Sequence, residues 1–318
     1  MLRTQICDLL GIEYPIIQGG MAWLGTAELV SAVSEAGGLG TIGTGNAPAD
    51  WLRQQIRATR ERTNKTFAVN VLLLTPFLRE VLDVILEEKV PVVAFGAGNP
   101  GVYVPRLKEA GIKVIPVLSS VALAKRLQRT GVVAVVAEGM ESGGHVGETT
   151  TMALVPQVVD AVQVPVIAAG GMADGRGLAA ALALGAQGVQ MGTRFICSTE
   201  CVAHSRFKEQ ILKAGDRSTV ITGRPTGHPV RCLENKLSRQ FLEMEKSGAL
   251  AEEFEKLGTG KMPLGVLQGD IEAGSLMAGQ IAGMIKDIKP VKDIIRDVMS
   301  QAEAVMDKMA ALRGGARV

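Results

Sequence analysis

The stretch "VPVIAAGGMADGRGLAAALALGAQGVQMGTRF" (164–195) contains two apolar runs separated by a segment of helical character. The runs, 164–171 and 188–195, are continuously hydrophobic rather than alternating, as strands buried on both faces of a parallel sheet require. Between them, "GRGLAAALALGA" (175–186) places apolar residues at helical spacing. The stretch therefore predicts a βαβ unit with a glycine-rich turn after each strand.

The same order of strand, glycine turn and helix recurs along the chain. Four predicted helices end alike, in "SEAGG", "KEAGI", "QRTGV" and "ALGAQ", each just before the next apolar run. Glycine just past a helix adopts the left-handed conformation that ends it, so each ending predicts a helix stop. The predicted strands are the eight runs 14–20, 38–43, 67–73, 92–98, 113–118, 132–139, 164–171 and 188–195.

Eight such units fit an α/β fold of the (β/α)8 TIM barrel type, and a doubly wound parallel sheet is the alternative. We favour the barrel because the units continue evenly to eight and because no GxGxxG follows the first run. In such barrels the chemistry lies at the carboxyl ends of the strands. Those ends are therefore where a site is expected.

The pattern changes after residue 196, and we predict three regions without a linker between them. Residues 1–205 form the barrel core. Residues 206–272 form an irregular insertion after strand eight, a lid and substrate or nucleotide region with one charged helix in "CLENKLSRQFLEMEKSG" (232–248). Residues 273–318 form C-terminal helices that pack on the barrel, in "GSLMAGQIAGMIKDI" (274–288) and "KPVKDIIRDVMSQAEAVMDKMAAL" (289–312).

Composition excludes several classes of protein. The 318 residues are 47% hydrophobic and 21% charged, which is ordinary for a globular protein with a sizeable core. No apolar run reaches the roughly 18 residues of a membrane span, and the N-terminus lacks a convincing secretory signal. The four cysteines form no CxxC pair or zinc spacing. We therefore expect free thiols, a cytoplasmic location and no membrane partner.

Charge and aromatic content limit the classes of ligand and partner that the protein could bind. The net charge of +2 gives no nucleic-acid signal, although residues 206–239 carry eight basic and three acidic side chains, a local charge of 8 − 3 = +5. That excess is either a solvated face or a surface for a phosphorylated or acidic partner. Aromatic residues are only 3%, against 38 glycines and 13 methionines, so a ring-shaped ligand would lie mainly on backbone, aliphatic and thioether groups.

Glycine turns dominate the predicted carboxyl ends of the strands. "AAGGMADG" (168–175) and "QMGTR" (190–194) follow neighbouring strands, where backbone N–H groups and a helix N-terminus form a phosphate cradle. Tight turns without a ligand are the alternative for either motif alone. The amides of Gln18, Asn46 and Asn70 could hydrogen-bond the edge of a flat heterocycle. This set favours FMN over a sugar phosphate, since an isomerase or aldolase needs a lysine or carboxylate base and only Glu138 is offered.

His145 is the strongest candidate for catalysis. It lies in "ESGGHVG" (141–147), a loop after strand six in which glycines surround the ring. We interpret those glycines as leaving the ring room to donate a hydrogen bond or a proton. The other two histidines are less clear: His204 is expected on a helix surface, while His228 either binds substrate or nucleotide with Arg224 and Arg231 or shapes a proline turn.

Seven motifs together carry a resemblance to a known family: "IIQGGMAW" (16–23), "GNAP" (45–48), "EGMESGGHVG" (138–147), "VIAAGGMADG" (166–175), "VQMGTRF" (189–195), "TGHPVR" (226–231) and "GSLMAGQIAG" (274–283). In their order and spacing they resemble the FMN-dependent enoyl-acyl carrier protein reductase II family, a branch of the nitronate monooxygenase superfamily. The glycine-flanked histidine is shared by the superfamily, and the other motifs favour the reductase branch.

The resemblance implies an activity and a site. NADH or NADPH would reduce FMN, which would reduce a trans-2-enoyl thioester on acyl carrier protein, with His145 catalytic; a nitronate monooxygenase and a cofactor-binding protein without turnover are the alternatives. The family also implies a homodimer and a monovalent cation, for which no carboxylate cluster reveals a metal site. Strand ends and resemblance together predict cofactor contacts from Gly20, Met21, Ala22, Asn46, Asn70, Glu138, Gly143, Gly144, Gly170, Gly171, Met191, Gly192, Thr193 and Gln280.

Overall fold

Eight parallel strands form the centre of the computed structural model, which describes residues 2–314. Neighbouring strands pair in parallel around the barrel, and a bridge between Ile17 and Leu39 brings the first strand back against the start of the second. The predicted (β/α)8 barrel is confirmed, and each of the eight predicted runs contains one of its strands. All strands in chain order are β1 (Ile16–Gln18), β2 (Gly40–Gly43), β3 (Phe67–Leu72), β4 (Val92–Gly96), β5 (Lys113–Leu118), β6 (Val135–Glu138), β7 (Gly144–His145), β8 (Val166–Ala169), β9 (Gly188–Met191), β10 (Thr219–Thr222) and β11 (Val230–Leu233). The barrel strands pair in the order β1, β9, β8, β6, β5, β4, β3, β2, and β7, β10 and β11 form a separate small sheet.

Helices follow the barrel strands and cover their outer faces. The four glycines predicted to stop helices, Gly37, Gly111, Gly131 and Gly185, all have φ between +77° and +96°, so the left-handed stop is confirmed at each. The helices are α1 (Gln5–Leu10), α2 (Ala27–Glu35), α3 (Ala49–Arg62), α4 (Leu78–Glu87), α5 (Val104–Glu109), α6 (Val121–Gln128), α7 (Thr151–Ala161), α8 (Gly175–Ala183), α9 (Thr193–Ile196), α10 (Ser205–Lys213), α11 (Lys236–Ser247), α12 (Ala251–Gly258), α13 (Lys261–Val266) and α14 (Val291–Gly314), with 3-10 turns at Arg224–Thr226 and Gln280–Met284.

The core has two layers, one between strands and helices and one inside the barrel. The inner cluster joins Ile17, Ile115 and Ile167 of the strands to Ile6 and Leu10 of α1. The Lys113 ammonium at the start of β5 donates to the carbonyl of Leu9 at 2.6 Å, which ties α1 to the amino ends of the strands. Apolar packing therefore fills that end of the barrel and leaves the carboxyl ends for a cavity.

The segment predicted as an irregular insertion is largely regular. It contributes α10, then β10 and β11, and then α11 to α13, with α11 at the position of the predicted charged helix. Strand β11 pairs antiparallel with both β10 and β7, so the insertion forms a small sheet with the loop that carries His145. The prediction of irregularity was wrong, because the two short strands pair with each other and β11 is extended further by pairing with the distant β7.

The prediction of a closing helix over 274–288 was also wrong. Only a 3-10 turn forms there, whereas the second predicted helix is α14. A Cβ at Gly274 would lie 2.2 Å from the Gly265 Cα, and one at Gly283 would lie 2.7 Å from the Gly215 carbonyl oxygen. These glycines permit close backbone contact, and glycine is a poor helix former, so the segment packs as an extended strap.

All four cysteines are buried free thiols, as the sequence predicted. In the part of the chain that the structure describes, no helix is both long and apolar enough to cross a bilayer.

Candidate active site

A cavity of about 780 Å³ lies at the carboxyl ends of the barrel strands. Its size is in the range usual for cofactor and ligand sites. The wall comes from the strand ends at 19–24, 45–46, 96–98, 117–119, 170–172 and 190–193, from the His145 loop, and from 227–229, 258–260, 262–263, Met277, Gly279 and Ile281 of the insertion and the strap.

The cavity brings most of the sequence-predicted site residues together. Four of them lie elsewhere: Gln280 is exposed on the strap, Arg224 is exposed on the insertion, Arg231 is buried behind the His145 loop, and Gln18 is buried inside the barrel. The predicted residues that line the cavity are Gly20, Met21, Ala22, Asn46, Asn70, Glu138, Gly143, Gly144, His145, Gly170, Gly171, Met191, Gly192, Thr193 and His228.

The turns after β8 and β9 present bare backbone to the cavity. A Cβ built on Gly192 would have only the Met21 sulfur within 4 Å, at 3.8 Å, and one on Gly171 would meet nothing closer than Glu141 at 3.8 Å. Gly171 also has φ +76°, which favours glycine. The Thr193 hydroxyl oxygen accepts from the Gly279 N–H at 2.9 Å, which leaves its own proton to donate. These turns therefore fit an anionic group such as the phosphate of FMN.

The three amides predicted to meet a heterocycle divide into two groups. Asn46 and Asn70 line the cavity. A Cβ on Gly20 would lie 2.2 Å from that of Asn70, so glycine at this position is what lets the asparagine lie across the end of β1. Gln18, in contrast, is fully buried and its amide is used internally, accepting from the Thr41 N–H at 2.9 Å and donating to the Thr41 carbonyl at 3.2 Å. Gln18 thus joins β1 to β2 and does not face a ligand.

The glycines around His145 permit close packing rather than leaving empty space. A Cβ on Gly143 would lie 2.7 Å from the Ala278 carbonyl carbon, and one on Gly147 would lie 2.5 Å from the Ser119 Cβ. The loop is therefore held between the strap and the end of β5. Gly143 and Gly147 are thus packing positions, whereas a Cβ on Gly144 would meet only the Met277 sulfur, at 3.6 Å, and the half-buried ring lines the cavity.

Pairing with the insertion sets the position of His145. In the β7 and β11 ladder His145 lies opposite Val230, and the Val146 N–H donates to the Pro229 carbonyl at 3.1 Å. Arg231, 4% exposed, donates from Nε to the Met140 carbonyl at 3.0 Å and from Nη1 to the Thr219 hydroxyl at 3.0 Å. Arg231 therefore supports the histidine loop from behind. It is not available to a phosphate in the cavity.

Arg224 has a different environment from Arg231. Its guanidinium is exposed and pairs with the Glu245 carboxylate at 3.3 Å, which also accepts from the Gly223 N–H at 2.7 Å. This pair closes a surface turn outside the cavity. The sequence proximity of Arg224, His228 and Arg231 therefore does not produce one joint site, since only His228 lines the cavity.

Two cavity residues have shifted pKa values. Burial lowers the pKa of the His145 imidazole below its usual value, and the charge of His228 lowers it further. Burial raises the pKa of the Glu138 carboxyl to about 7, against a smaller opposing effect of the Ser142 hydroxyl. The Glu138 side chain is enclosed by protein except where it meets the cavity. At neutral pH the histidine is neutral and the carboxyl is close to half protonated.

Glu141 is a site residue that the sequence analysis missed. Its carboxylate accepts from the Thr151 N–H at 3.0 Å and from the Thr151 hydroxyl at 2.8 Å, at the start of α7. The same hydroxyl lies 2.9 Å from the Gly170 carbonyl oxygen, so this contact joins the His145 loop to the turn after β8. No spacing in the sequence signals it, because it depends on tertiary contact. Among the described residues no cluster of acidic, cysteine and histidine side chains could hold a metal ion.

A (β/α)8 barrel with a glycine-rich cavity and a half-buried histidine at the strand ends is compatible with a flavin-dependent oxidoreductase, and the comparisons specify the family. The sequence model of the nitronate monooxygenase family matches residues 3–81 and 75–301. The chain belongs to this family, whose members are FMN-dependent flavoproteins, and it is an oxidoreductase.

Solved and curated relatives extend over almost the whole chain. FabK from Thermotoga maritima is 51% identical, with a TM-score of 0.96 and coverage of 98% of this chain and 100% of that one. The resemblance to the enoyl-acyl carrier protein reductase II family is thereby confirmed. A "(3aS,4S,5R,7aS)-5-hydroxy-7a-methyl-1-oxo-octahydro-1H-indene-4-carboxyl-CoA dehydrogenase" of Mycobacterium tuberculosis is 33% identical, covering 98% of this chain and 99% of the relative. A "Probable nitronate monooxygenase" of Staphylococcus saprophyticus is 34% identical, covering 96% and 99%.

Proposed function

We propose that this chain is an FMN-dependent enoyl-acyl carrier protein reductase, which saturates the double bond of trans-2-enoyl thioesters at the end of each fatty acid elongation cycle. The observation that carries the proposal is the 51% identity to FabK, an enoyl-acyl carrier protein reductase II, over 98% of the chain. The carboxyl-CoA dehydrogenase among the relatives also acts on a thioester by its name. NADH or NADPH would be the reductant.

The glycine turns and amides are the groups that would hold FMN. Gly170, Gly171, Gly192 and Thr193 offer N–H and O–H donors to its phosphate, and Asn46 and Asn70 offer amides to the polar edge of its ring. When bound, FMN accepts two electrons from the nicotinamide and supplies a hydride to the β-carbon of the substrate. The remaining proposed contacts are Gly20, Met21, Ala22, Glu138, Gly143, Gly144 and Met191.

His145 provides the group that the reduction needs on the thioester. A neutral imidazole has one N–H donor and one acceptor nitrogen. Its N–H would stabilise the enolate-like thioester oxygen, where charge develops, and it would then protonate the α-carbon directly or through an oriented water. The fixed β7 and β11 pairing keeps that donor in place, so little reorganisation is needed during the reaction.

The rest of the wall suits a flexible acyl chain. Thioether and aliphatic side chains adapt to a flexible apolar ligand. Water would be displaced from these walls as the chain enters. The side chains concerned are Leu118, Met172, Met262, Val266, Met277 and Ile281.

Acyl carrier protein would contact the basic segment 206–239. Of its eight basic side chains, Lys208 and Arg231 are buried and do not contribute to a docking surface. Arg206, Lys213 and Arg217 are exposed and would face an acidic partner. A homodimer, a monovalent cation and a cytoplasmic location remain predictions.

Nitronate monooxygenase activity is the second candidate, because a relative with that name is 34% identical. In that reaction His145 would serve as the base that removes a proton from the substrate, and oxygen would reoxidise the flavin. The pKa of His145, lowered by burial, is compatible with a neutral base at pH 7. The two candidates therefore differ in substrate and oxidant rather than in the histidine.

The test is an absorbance scan of the purified protein followed by two assays. We expect a bound flavin spectrum, anaerobic oxidation of NADH or NADPH that depends on crotonyl thioester, and little oxygen uptake with alkyl nitronates. His204→Asn, which keeps the cap that His204 forms on α10, is the matched histidine control and should retain activity. Rapid nitronate turnover without enoyl reduction would reverse the assignment. Protein that cannot be loaded with FMN would refute both candidates.

A further inference from the structure

Only four titratable side chains line the cavity within residues 2–314: Glu138, Glu141, His145 and His228. Glu141 accepts hydrogen bonds from Thr151 and is committed to that contact. Glu138 lies at the end of β6 and is enclosed by protein except at the cavity. The two imidazoles are therefore the groups best placed to pass protons between solvent and the cavity.

The two imidazole rings lie close together in an edge-to-face arrangement. Their centroids lie 6.4 Å apart with an interplanar angle of 85°, so the edge of one ring points toward the face of the other. Pairing of β7 with β11 brings the turn that carries His228 next to His145, and the backbone N–H of His228 donates to the Thr226 hydroxyl at 3.1 Å. The separation is short enough for one water molecule to bridge the rings.

The two histidines differ in their access to solvent. His145 is half-buried, whereas His228 is exposed. No hydrogen bond or ion pair to another described side chain holds the His228 ring. Its basic neighbours are occupied, because Arg224 pairs with Glu245 and Arg231 bonds to Met140 and Thr219. The His228 ring is thus open to water and also lines the cavity.

We propose that His228 relays protons from solvent to His145 during turnover. This inference rests on the proposed enoyl reduction, since that reaction consumes one proton per turnover. Burial makes neutral His145 a poor reservoir of protons, and a substrate filling the cavity would separate its ring further from bulk water. A second imidazole at the solvent edge supplies the proton that the buried ring lacks.

Each turnover adds one hydride equivalent and one proton to the double bond of the substrate. The nicotinamide reductant supplies a hydride equivalent to the β-carbon, the carbon-carbon π bond breaks, and the α-carbon takes a proton from the N–H of His145. As its N–H proton leaves, His145 accepts a proton at its other ring nitrogen from His228 through one bridging water. His228 then takes a proton from solvent, so both rings regain their starting charge, and a ring flip or proton exchange with water restores the starting tautomer.

The experiment compares FMN-loaded wild type with His228→Gln and with the control His204→Asn, using crotonyl thioester and NADH or NADPH in weakly buffered solution. We expect His228→Gln to lose about tenfold in kcat, below the usual range for removal of a direct general acid because water relays more slowly. Added imidazole should restore the rate, and the solvent deuterium isotope effect on kcat should increase. The flavin spectrum and the Tm should be unchanged, and His204→Asn should behave as wild type. His228→Asn repeats the test if the glutamine variant loses FMN.

The outcomes separate the relay from the proposed function. Wild type that does not reduce the enoyl thioester refutes the function, and the relay with it. If wild type is active, three results refute the relay alone: an unchanged kcat, a loss that imidazole does not restore, or a change confined to the KM of the nucleotide, which would make His228 a nucleotide contact.

Discussion

The turns after β8 and β9 and the loop that carries His145 lie on the same cavity, but they are built differently. The turns follow from local sequence, since each apolar run ends in glycine and a helix begins soon afterwards. The histidine loop depends on β11, on Ser119 and on the strap at Ala278, all distant in sequence. Local pattern therefore predicts the part suited to a phosphate, and tertiary packing decides the part suited to proton transfer.

The largest expected effect tests the histidine loop directly. His145→Ala should lower kcat for enoyl reduction by about a hundredfold or more, the usual effect of losing a positioned acid or base. The phosphate cradle does not involve the ring, so the FMN absorbance spectrum and FMN Kd should stay close to those of wild type. Turnover at the wild-type rate would remove the role assigned to His145.

The glycines of the two regions should respond differently to the same added methyl group. Gly143→Ala places a Cβ 2.7 Å from the Ala278 carbonyl carbon, and we expect it to lower the free energy of unfolding by about 1–3 kcal/mol and to reduce kcat. Gly192→Ala points into the cavity, so it should leave stability unchanged and weaken FMN binding about tenfold, or about 1.4 kcal/mol.

Denaturant unfolding and FMN titration of the two variants measure this contrast. Gly215→Ala is the matched control, because its Cβ would have only the Ser218 hydroxyl oxygen, at 3.9 Å, as a neighbour within 4 Å. Equal loss of stability in Gly143→Ala and Gly192→Ala would mean that both glycines are packing residues.

The same division between local sequence pattern and tertiary packing decides which parts of the molecule could be predicted from sequence. The eight strands, the helix stops at Gly37 and Gly185, and most of the cavity lining could be predicted, because each depends on a few neighbouring residues. The sequence could not show that Asn70 faces the cavity and Gln18 does not, because both are amides in predicted strands. Only the tertiary structure shows that the Gln18 amide is bonded to the Thr41 backbone. Glu141 could not be found for the same reason.

Substitution of two arginines from the same stretch of sequence should change the free energy of unfolding by different amounts. Arg231→Met leaves the Met140 carbonyl and the Thr219 hydroxyl without their partner, and we expect a loss of about 2 kcal/mol in the free energy of unfolding together with a lower kcat. Arg224→Met breaks an exposed pair with Glu245 and should cost less than about 1 kcal/mol. Chemical denaturation measures both. A rise in the nucleotide KM for Arg224→Met alone would restore its predicted role in nucleotide binding.

The smallest expected effect is the pH dependence of stability that comes from Glu138. This residue lies at a strand end, but its sequence position does not reveal that its carboxyl is buried. Its folded-state pKa of about 7 lies above the value of an ordinary carboxyl, 4.5, so between these values the folded protein binds more protons than the unfolded chain. Stability from this group is therefore lost as pH rises through that window, by about 1 kcal/mol between about pH 6 and about pH 7. Glu138→Gln cannot titrate at this position, so its free energy of unfolding should not fall in this way between about pH 6 and about pH 7. His145 is present in both proteins, so its contribution cancels when wild type and variant are compared. Denaturant midpoints across this pH range give the comparison, and parallel curves for wild type and Glu138→Gln would show that the carboxyl is ionised throughout.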